Sequence, residues 1–189
     1  MTGRQRQAWG GKQQFQSGNL RGTVMRIAFD LDDTIIPAPG SPMAAEPIGR
    51  VARLISSEPL RKGAPSLMKL LWREGHEVWL YTTSLRSPFK LRLWFASFGV
   101  ALDGVVNQAT HDAAMAKIPD RRFICSKYPP AFGIDLLIDD SEGVRLEGER
   151  LGFSVLTISE NDSDWCARIR DTCKRLSSRR ESSQAPRDA

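Results

Sequence analysis

The chain has 189 residues, of which 41% are hydrophobic and 26% are charged, and these values are ordinary for a globular protein. The length favours one domain, because domains of about 100–200 residues are the norm. Its three cysteines have spacings that suit neither a disulfide framework nor a zinc site. No apolar run approaches the roughly 18 residues of a membrane helix. We therefore expect a soluble cytoplasmic protein with no membrane partner.

The net charge of +5 is concentrated at the two ends of the chain. Residues 1–22 contain four basic and no acidic residues, and residues 174–189 contain five basic and two acidic residues. Residues 23–173 therefore carry a net charge of −2. This acidic body argues against a nucleic-acid partner, which requires a basic groove.

Short apolar runs alternate with helical patterns along the centre of the chain. The apolar runs predict strands near residues 24–29, 76–81, 105–106, 134–138 and 153–158. Apolar spacing, together with Pro and Gly positions, predicts helices near residues 48–57, 65–75, 87–99, 142–151 and 163–176. This alternation indicates an α/β fold, a Rossmann-like three-layer α/β/α sandwich with a mostly parallel sheet and no large cap domain.

The two ends of the chain differ from this pattern. They are rich in Gln, Gly, Ser and Arg and have little apolar periodicity. We expect disordered tails at residues 1–23 and 177–189, and one folded catalytic domain at residues 24–176.

Polar side chains follow three of the predicted strands. Carboxylates or hydroxyls stand after the first, second and fourth strands, at Asp30, Asp32, Asp33, Thr82, Thr83, Ser84, Asp139 and Asp140. Ligands of open parallel sheets bind at the carboxyl ends of the strands, so we expect these groups at one edge. Clustered carboxylates repel one another unless a cation lies among them, and oxygen ligands suit Mg²⁺, which in such sites also binds substrate phosphate.

Three of these segments resemble motifs of the haloacid dehalogenase (HAD) superfamily. Residues 29–34 (FDLDDT) resemble its first motif, residues 80–84 (LYTTS) its second, and residues 138–141 (IDDS) the paired-acid form of its fourth. The third motif is a lysine, for which Lys127 is the candidate and Lys117 the rival. Lys127 precedes a Pro-Pro turn that leads into the fourth strand, whereas Lys117 has the more usual spacing to the fourth motif.

The resemblance implies a Mg²⁺-dependent phosphatase, a HAD-type hydrolase of phosphoric monoesters. Asp30 would be the nucleophile that forms an aspartyl-phosphate, and Asp32 would be the general acid and base. Thr82 and Lys127 would complete the catalytic set by holding the phosphoryl oxygens.

The resemblance also implies the remaining ligands. Thr83 and Arg86 would be further substrate contacts. The metal would lie between Asp30, the main-chain carbonyl of Asp32, and Asp139 or Asp140. The sequence leaves open which acid of that last pair binds the metal directly.

No stretch of the chain is long enough for a separate cap domain. An open site goes in this family with large phosphorylated substrates, such as phosphoproteins or nucleic-acid ends, or with a cap lent by another subunit. A macromolecular partner is therefore expected. The substrate and the oligomeric state stay open. The alternatives are a non-catalytic Mg²⁺-binding or interaction module with the same fold, and a phosphotransferase.

Overall fold

The computed structural model describes residues 23–118 and 125–184. Five parallel strands form one sheet in the order β3-β2-β1-β4-β5. The strands are β1 (Arg26–Phe29), β2 (Glu77–Tyr81), β3 (Gly104–Val106), β4 (Leu136–Asp139) and β5 (Val155–Thr157). The described residues also form six α-helices: α1 (Arg50–Ile55), α2 (Ala64–Arg73), α3 (Pro88–Ser97), α4 (Gln108–Met115), α5 (Glu142–Leu151) and α6 (Trp165–Gln184).

Both faces of the central strand are covered. Ile27 and Phe29 of β1 point into a large apolar cluster with α2, α3 and α6, whereas Ala28 points into a smaller cluster that includes Val144 of α5. Successive side chains of a strand alternate between its faces, so the consecutive apolar residues 27–29 must be buried on both. The predicted α/β class, with a parallel sheet between two helical layers, is confirmed.

Two helices differ from the prediction. Helix α4 was not predicted; the Asn107 side chain caps it by accepting a hydrogen bond from the Thr110 N–H. Helix α6 continues beyond residue 176 to Gln184, so the predicted start of the second tail is too early. This extension is held by tertiary contacts, since Ser177 is buried and donates to the Thr23 carbonyl and Arg180 pairs with Asp135.

The rest of the predicted tails, residues 1–22 and 185–189, lies outside the described residues. Among the helices that the structure does describe, none combines the length and the apolar character needed to cross a membrane.

The connection from β1 to α2 contains a loop that carries α1, and we call residues 44–62 the α1 loop. Its two ends pair in antiparallel fashion, with hydrogen bonds from Glu46 N to Leu60 O and from Lys62 N to Ala44 O, both of 2.7 Å. The buried Arg61 side chain fixes the α1 loop to the loop after β5 by donating to two carbonyls of the latter. The connection thus holds one short helix and no cap domain, as the sequence predicted.

One glycine of the sheet accommodates a large ring. Gly104 pairs with Trp79 across β2 and β3, and a Cβ atom at Gly104 would lie 2.0 Å from the Trp79 ring. We expect Gly104→Ala to lower the free energy of unfolding by about 1–3 kcal/mol through overpacking. The fall in melting temperature, measured by circular dichroism, should be roughly 2–4 °C per kcal/mol.

Gly143→Ala is the matched control, because its Cβ would meet no atom closer than 3.4 Å and would lie in the first turn of α5. This variant should lose no stability. Equal melting temperatures for the two variants would contradict the packing described here.

Candidate functional site

The sheet order brings two carboxylates together. Asp30 follows β1 and Asp139 ends β4, and these strands are neighbours, with the Asp30 N–H donating to Ile138 O at 2.8 Å. Strand β2 lies on the other side of β1, so the chain changes direction across the sheet here. In open parallel sheets this switch point forms a crevice that binds ligands.

A buried ammonium lies between these two carboxylates. Lys127 Nζ donates to Asp139 Oδ2 at 2.6 Å and also to Asp30 Oδ1, and only 4% of Lys127 is exposed. Burial alone would lower the pKa of Lys127, but the charges of Asp30 and Asp139 outweigh it, so the net shift is upward. The lysine is therefore charged at neutral pH.

Asp30 has the most perturbed titration of the site. Burial, helped by the charge of Asp139 and opposed by Lys127, raises the pKa of Asp30 to about 7. A carboxylate that loses its water shell is destabilised in its ionised form. A second cation beside Asp30, in addition to Lys127, would favour the ionised form.

A hydrogen-bond relay holds the loop that carries Lys127. The Tyr128 N–H donates to the Tyr81 hydroxyl at 2.8 Å, and this hydroxyl lies 2.6 Å from Nδ1 of His111. Burial lowers the pKa of His111, so its imidazole is neutral and Nδ1 can accept the hydroxyl proton of Tyr81. No signal in the sequence pointed to Tyr81.

The rival lysine lies elsewhere. Lys117 follows the C-terminal end of α4, and its side chain is exposed. The structure therefore brings Lys127, and not Lys117, into the buried contact with Asp30.

Three carboxylates form a candidate metal centre. Asp30, Asp139 and Asp140 each offer an oxygen within 4.8 Å of the others. Thr34 donates to Asp140 Oδ1 at 3.0 Å, and the Ser141 N–H donates to Asp139 Oδ1 at 2.9 Å, so both acids are oriented from behind. Three carboxylates exceed the single charge of the lysine, and a donor set made only of oxygen fits Mg²⁺.

The predicted acid–base residue, Asp32, lies apart from these three carboxylates. The side chain of Asp32 is 47% exposed and accepts from Arg86 Nη1 at 2.7 Å through both oxygens. The other nitrogen of Arg86 donates to Glu58 Oε1 at 2.9 Å, and Asn107 donates to the Arg86 carbonyl. Glu58 was missed in the sequence, where it stands in a loop with no neighbouring motif.

The two threonines occupy different environments. Thr82 is buried at the end of β2, where its hydroxyl donates to Ser84 Oγ at 3.1 Å and accepts from Ser84 N–H at 3.0 Å. Thr83 is exposed. Within the part of the chain that the structure describes, neither threonine side chain makes a hydrogen bond to Asp30, Asp139 or Asp140. The Thr82 hydroxyl would have to leave the Ser84 turn to bind a phosphoryl oxygen.

Comparisons with known proteins give limited information. No protein-family model matches the chain, and no curated protein matches it. A chain from a structure described as "Structure of Pnkp1/Rnl/Hen1 complex" is 14% identical with a TM-score of 0.47, and the match covers 80% of this chain and 52% of that one. This chain thus spans about half of that chain's length.

A second structure is described as a predicted HAD-like family hydrolase from Porphyromonas gingivalis. It is 14% identical with a TM-score of 0.46, and the match covers 79% of this chain and 98% of that one. At these values neither likeness carries information about activity.

The relay to the Lys127 loop can be tested without turnover. Tyr81→Phe leaves the Tyr128 N–H and the His111 nitrogen without their partner, which costs about 1–3 kcal/mol. We expect Lys127 to react with an amine-acetylating reagent about tenfold faster in this variant than in the wild type, as measured by peptide mass spectrometry.

His76→Gln is the control, since His76 accepts from the Met25 N–H and is not part of the relay. Labelling of Lys127 in this variant should match the wild type. An unchanged rate in Tyr81→Phe would show that the relay does not hold the lysine.

The buried charge of Asp30 should also affect stability. The pKa of Asp30 in the folded protein, about 7, lies above its ordinary value of 3.8. The contribution of Asp30 to stability is therefore complete below pH 3.8 and is lost as the pH rises through 7. Asp30→Asn removes this ionisation, so in EDTA it should raise the melting temperature by a few degrees at pH 8 and by less at pH 5.

The exposed helix residue Asp171 provides a control, because Asp171→Asn should show no such pH dependence. A melting temperature that falls at pH 8 in Asp30→Asn would mean that the ion pair with Lys127 outweighs the cost of burying the carboxylate.

Proposed function

We propose that the chain is a Mg²⁺-dependent phosphatase of the HAD type, which hydrolyses phosphoric monoesters. The observation that carries the proposal is the buried contact of Lys127 with Asp30 and Asp139, beside Asp140, at the carboxyl edge of the sheet. These residues come from the segments that resemble the HAD motifs, and the fold brings them together although they are up to 110 positions apart.

In the first step, an oxygen of Asp30 attacks the phosphorus atom of the ester. The bond from phosphorus to the leaving oxygen breaks. Asp32, which takes up a proton from solvent once Arg86 has turned to the phosphate, gives that proton to the leaving oxygen. The product is an aspartyl-phosphate on Asp30, which divides one difficult displacement into two easier ones. The Lys127 ammonium supports this step, because it holds Asp30 and offers charge to a phosphoryl oxygen.

In the second step, water attacks the phosphorus atom of the aspartyl-phosphate. Asp32, now ionised, takes a proton from this water, and inorganic phosphate leaves as Asp30 is regenerated. The half-exposed position of Asp32 suits this exchange, since water reaches it directly. The same exposure favours hydrolysis over phosphotransfer, because a transferase must shield its phospho-enzyme from water.

Asp30, Asp139 and Asp140 would hold Mg²⁺, together with the main-chain carbonyl of Asp32. When bound, this ion offsets the combined negative charge of the nucleophile and the phosphate. Thr34 and the Ser141 N–H keep two of these acids in the required orientation.

Arg86 would bind the substrate by exchanging partners. Its guanidinium is engaged by Asp32 and Glu58, and a phosphoryl group is the stronger bidentate acceptor. Binding of phosphate to Arg86 would release Asp32 at the moment when its proton is needed. Thr82 and Thr83 would contribute hydroxyls at the same rim.

The reaction is tested by phosphate release from an aryl phosphate, with Mg²⁺ or with EDTA. Release should require Mg²⁺, should be undetectable in Asp30→Asn, and should fall by about 10²–10⁴-fold in Asp32→Asn because acid–base assistance is lost.

Asp33→Asn is the matched control, because Asp33 stands beside Asp32, is exposed, and has a φ of 59° that asparagine tolerates. It should retain most of the activity. Undiminished release by the Asp30→Asn protein would overturn the mechanism.

A further inference from the structure

An apolar surface lies on the outward sides of α1 and α3. Large apolar side chains are exposed there, at Val51 (64%), Leu54 (86%), Leu85 (75%), Phe89 (74%) and Leu93 (48%). These are five of the eight large hydrophobic side chains that are exposed among the described residues. Isolated exposed hydrophobic residues are normal, but a cluster of them marks an interaction site.

The spacing places the exposed apolar side chains of each helix on one face of that helix. Val51 and Leu54 are three residues apart on α1, and Phe89 and Leu93 are four apart on α3, so each pair lies on one face of its helix. On α3 this face is opposite the buried Leu91. The two helices pack against each other, and we call their joint outward face the α1–α3 surface.

This surface begins at the rim of the catalytic crevice. Leu85 directly precedes Arg86, which pairs with Asp32, and Glu58 stands three residues after the end of α1. A molecule larger than a small metabolite can therefore place its phosphate at Asp30 and contact the α1–α3 surface at the same time.

The charge of the surface indicates the chemistry of its occupant. Helices α1 and α3 contain no acidic residue and expose the basic side chains of Arg50, Arg53 and Lys90. The fourth basic residue, Arg92, donates instead to the carbonyls of Leu102 and Asp103. A complementary occupant is apolar and acidic. An anionic membrane or a nucleic acid would also meet the remainder of the folded body, which is net acidic and repels it, whereas a short peptide meets this surface alone.

We propose that the α1–α3 surface docks an acidic segment with apolar side chains, next to the phosphorylated residue of a phosphoprotein substrate. This proposal rests on the proposed phosphatase function. It assigns the recognition of the substrate to α1 and α3 and leaves only the phosphoryl group to the crevice.

The kinetic test compares three substrates: a phosphoserine peptide with Asp, Glu, Leu and Phe around the phosphoserine, the same peptide with Gly and Ser there, and an aryl phosphate. In the double variant Leu54→Ser, Phe89→Ser, the ratio of kcat/KM for the first peptide to that for the aryl phosphate should fall about tenfold. The effect should lie mainly in KM.

A matched control keeps the number of exposed hydrophobic residues equal. Trp72→Ser, Leu146→Ser removes two exposed apolar side chains that lie outside the α1–α3 surface, on α2 and α5. The ratio should be unchanged in this control. Equal ratios in the two double variants would overturn the docking proposal while leaving the phosphatase proposal intact.

A binding measurement separates the two proposals. Fluorescence anisotropy of the labelled acidic peptide with Asp30→Asn protein reports docking without turnover, and the Leu54→Ser, Phe89→Ser changes should weaken it about tenfold. If binding requires this surface and the wild-type protein has no activity on any substrate, the docking proposal is supported and the phosphatase proposal is rejected.

A last arm tests the competing occupant. Vesicles of anionic phospholipid should not co-sediment the wild-type protein more than the Leu54→Ser, Phe89→Ser variant. Co-sedimentation that depends on the surface, with no preference between the two peptides, would overturn the proposal in favour of a membrane.

Discussion

The ammonium of Lys127 is the charge on which the carboxyl edge of the sheet depends. Two neighbouring strands end in buried carboxylates, and moving two like charges out of water is unfavourable unless a counter-charge joins them. Lys127 supplies it from a loop that the Tyr81 hydroxyl holds. Because the lysine is itself buried, the two carboxylates and the ammonium each reduce the cost of burying the others.

This compensation is incomplete, and in the proposed mechanism the remaining negative charge attracts the metal ion. One ammonium faces three carboxylates, and burial raises the pKa of Asp30, helped by the charge of Asp139 and opposed by Lys127. In the proposed mechanism, a divalent cation offsets the two remaining negative charges, and the site can then accept an anionic phosphoryl group. Without a cation, the buried negative charge lowers the stability of the folded protein. Functional sites commonly carry such a cost in stability.

The crevice separates two acids that stand two residues apart. Asp30 lies on the dry floor, whereas Asp32 lies at the half-exposed entrance and is paired with Arg86 and Glu58. In the proposed mechanism, these different surroundings let two chemically identical side chains act as the nucleophile and as the proton carrier. The α1 loop contributes to this difference because its Glu58 pairs with Arg86 at the entrance. The same loop also supplies the exposed apolar side chains of α1.

Local patterns in the sequence were sufficient for the class of the fold and for the acids of the site. Apolar runs and Gly or Pro positions mark strands and helices because the backbone responds to its nearest neighbours, and parallel strands present their carboxyl ends at one edge. Asp30 and Asp139 could therefore be assigned to that edge. Local patterns failed where long-range contacts decide, as at the end of α6, which Thr23 and Asp135 help to hold.

The tertiary structure alone decided which groups meet at the site. The strand order sets β1 beside β4, and the path of the loop at residues 125–128 brings Lys127, rather than Lys117, to Asp30. Glu58 reaches Arg86 for the same reason. Such contacts depend on the packing of segments that are distant in the chain, and the spacing of residues along a sequence does not contain that information.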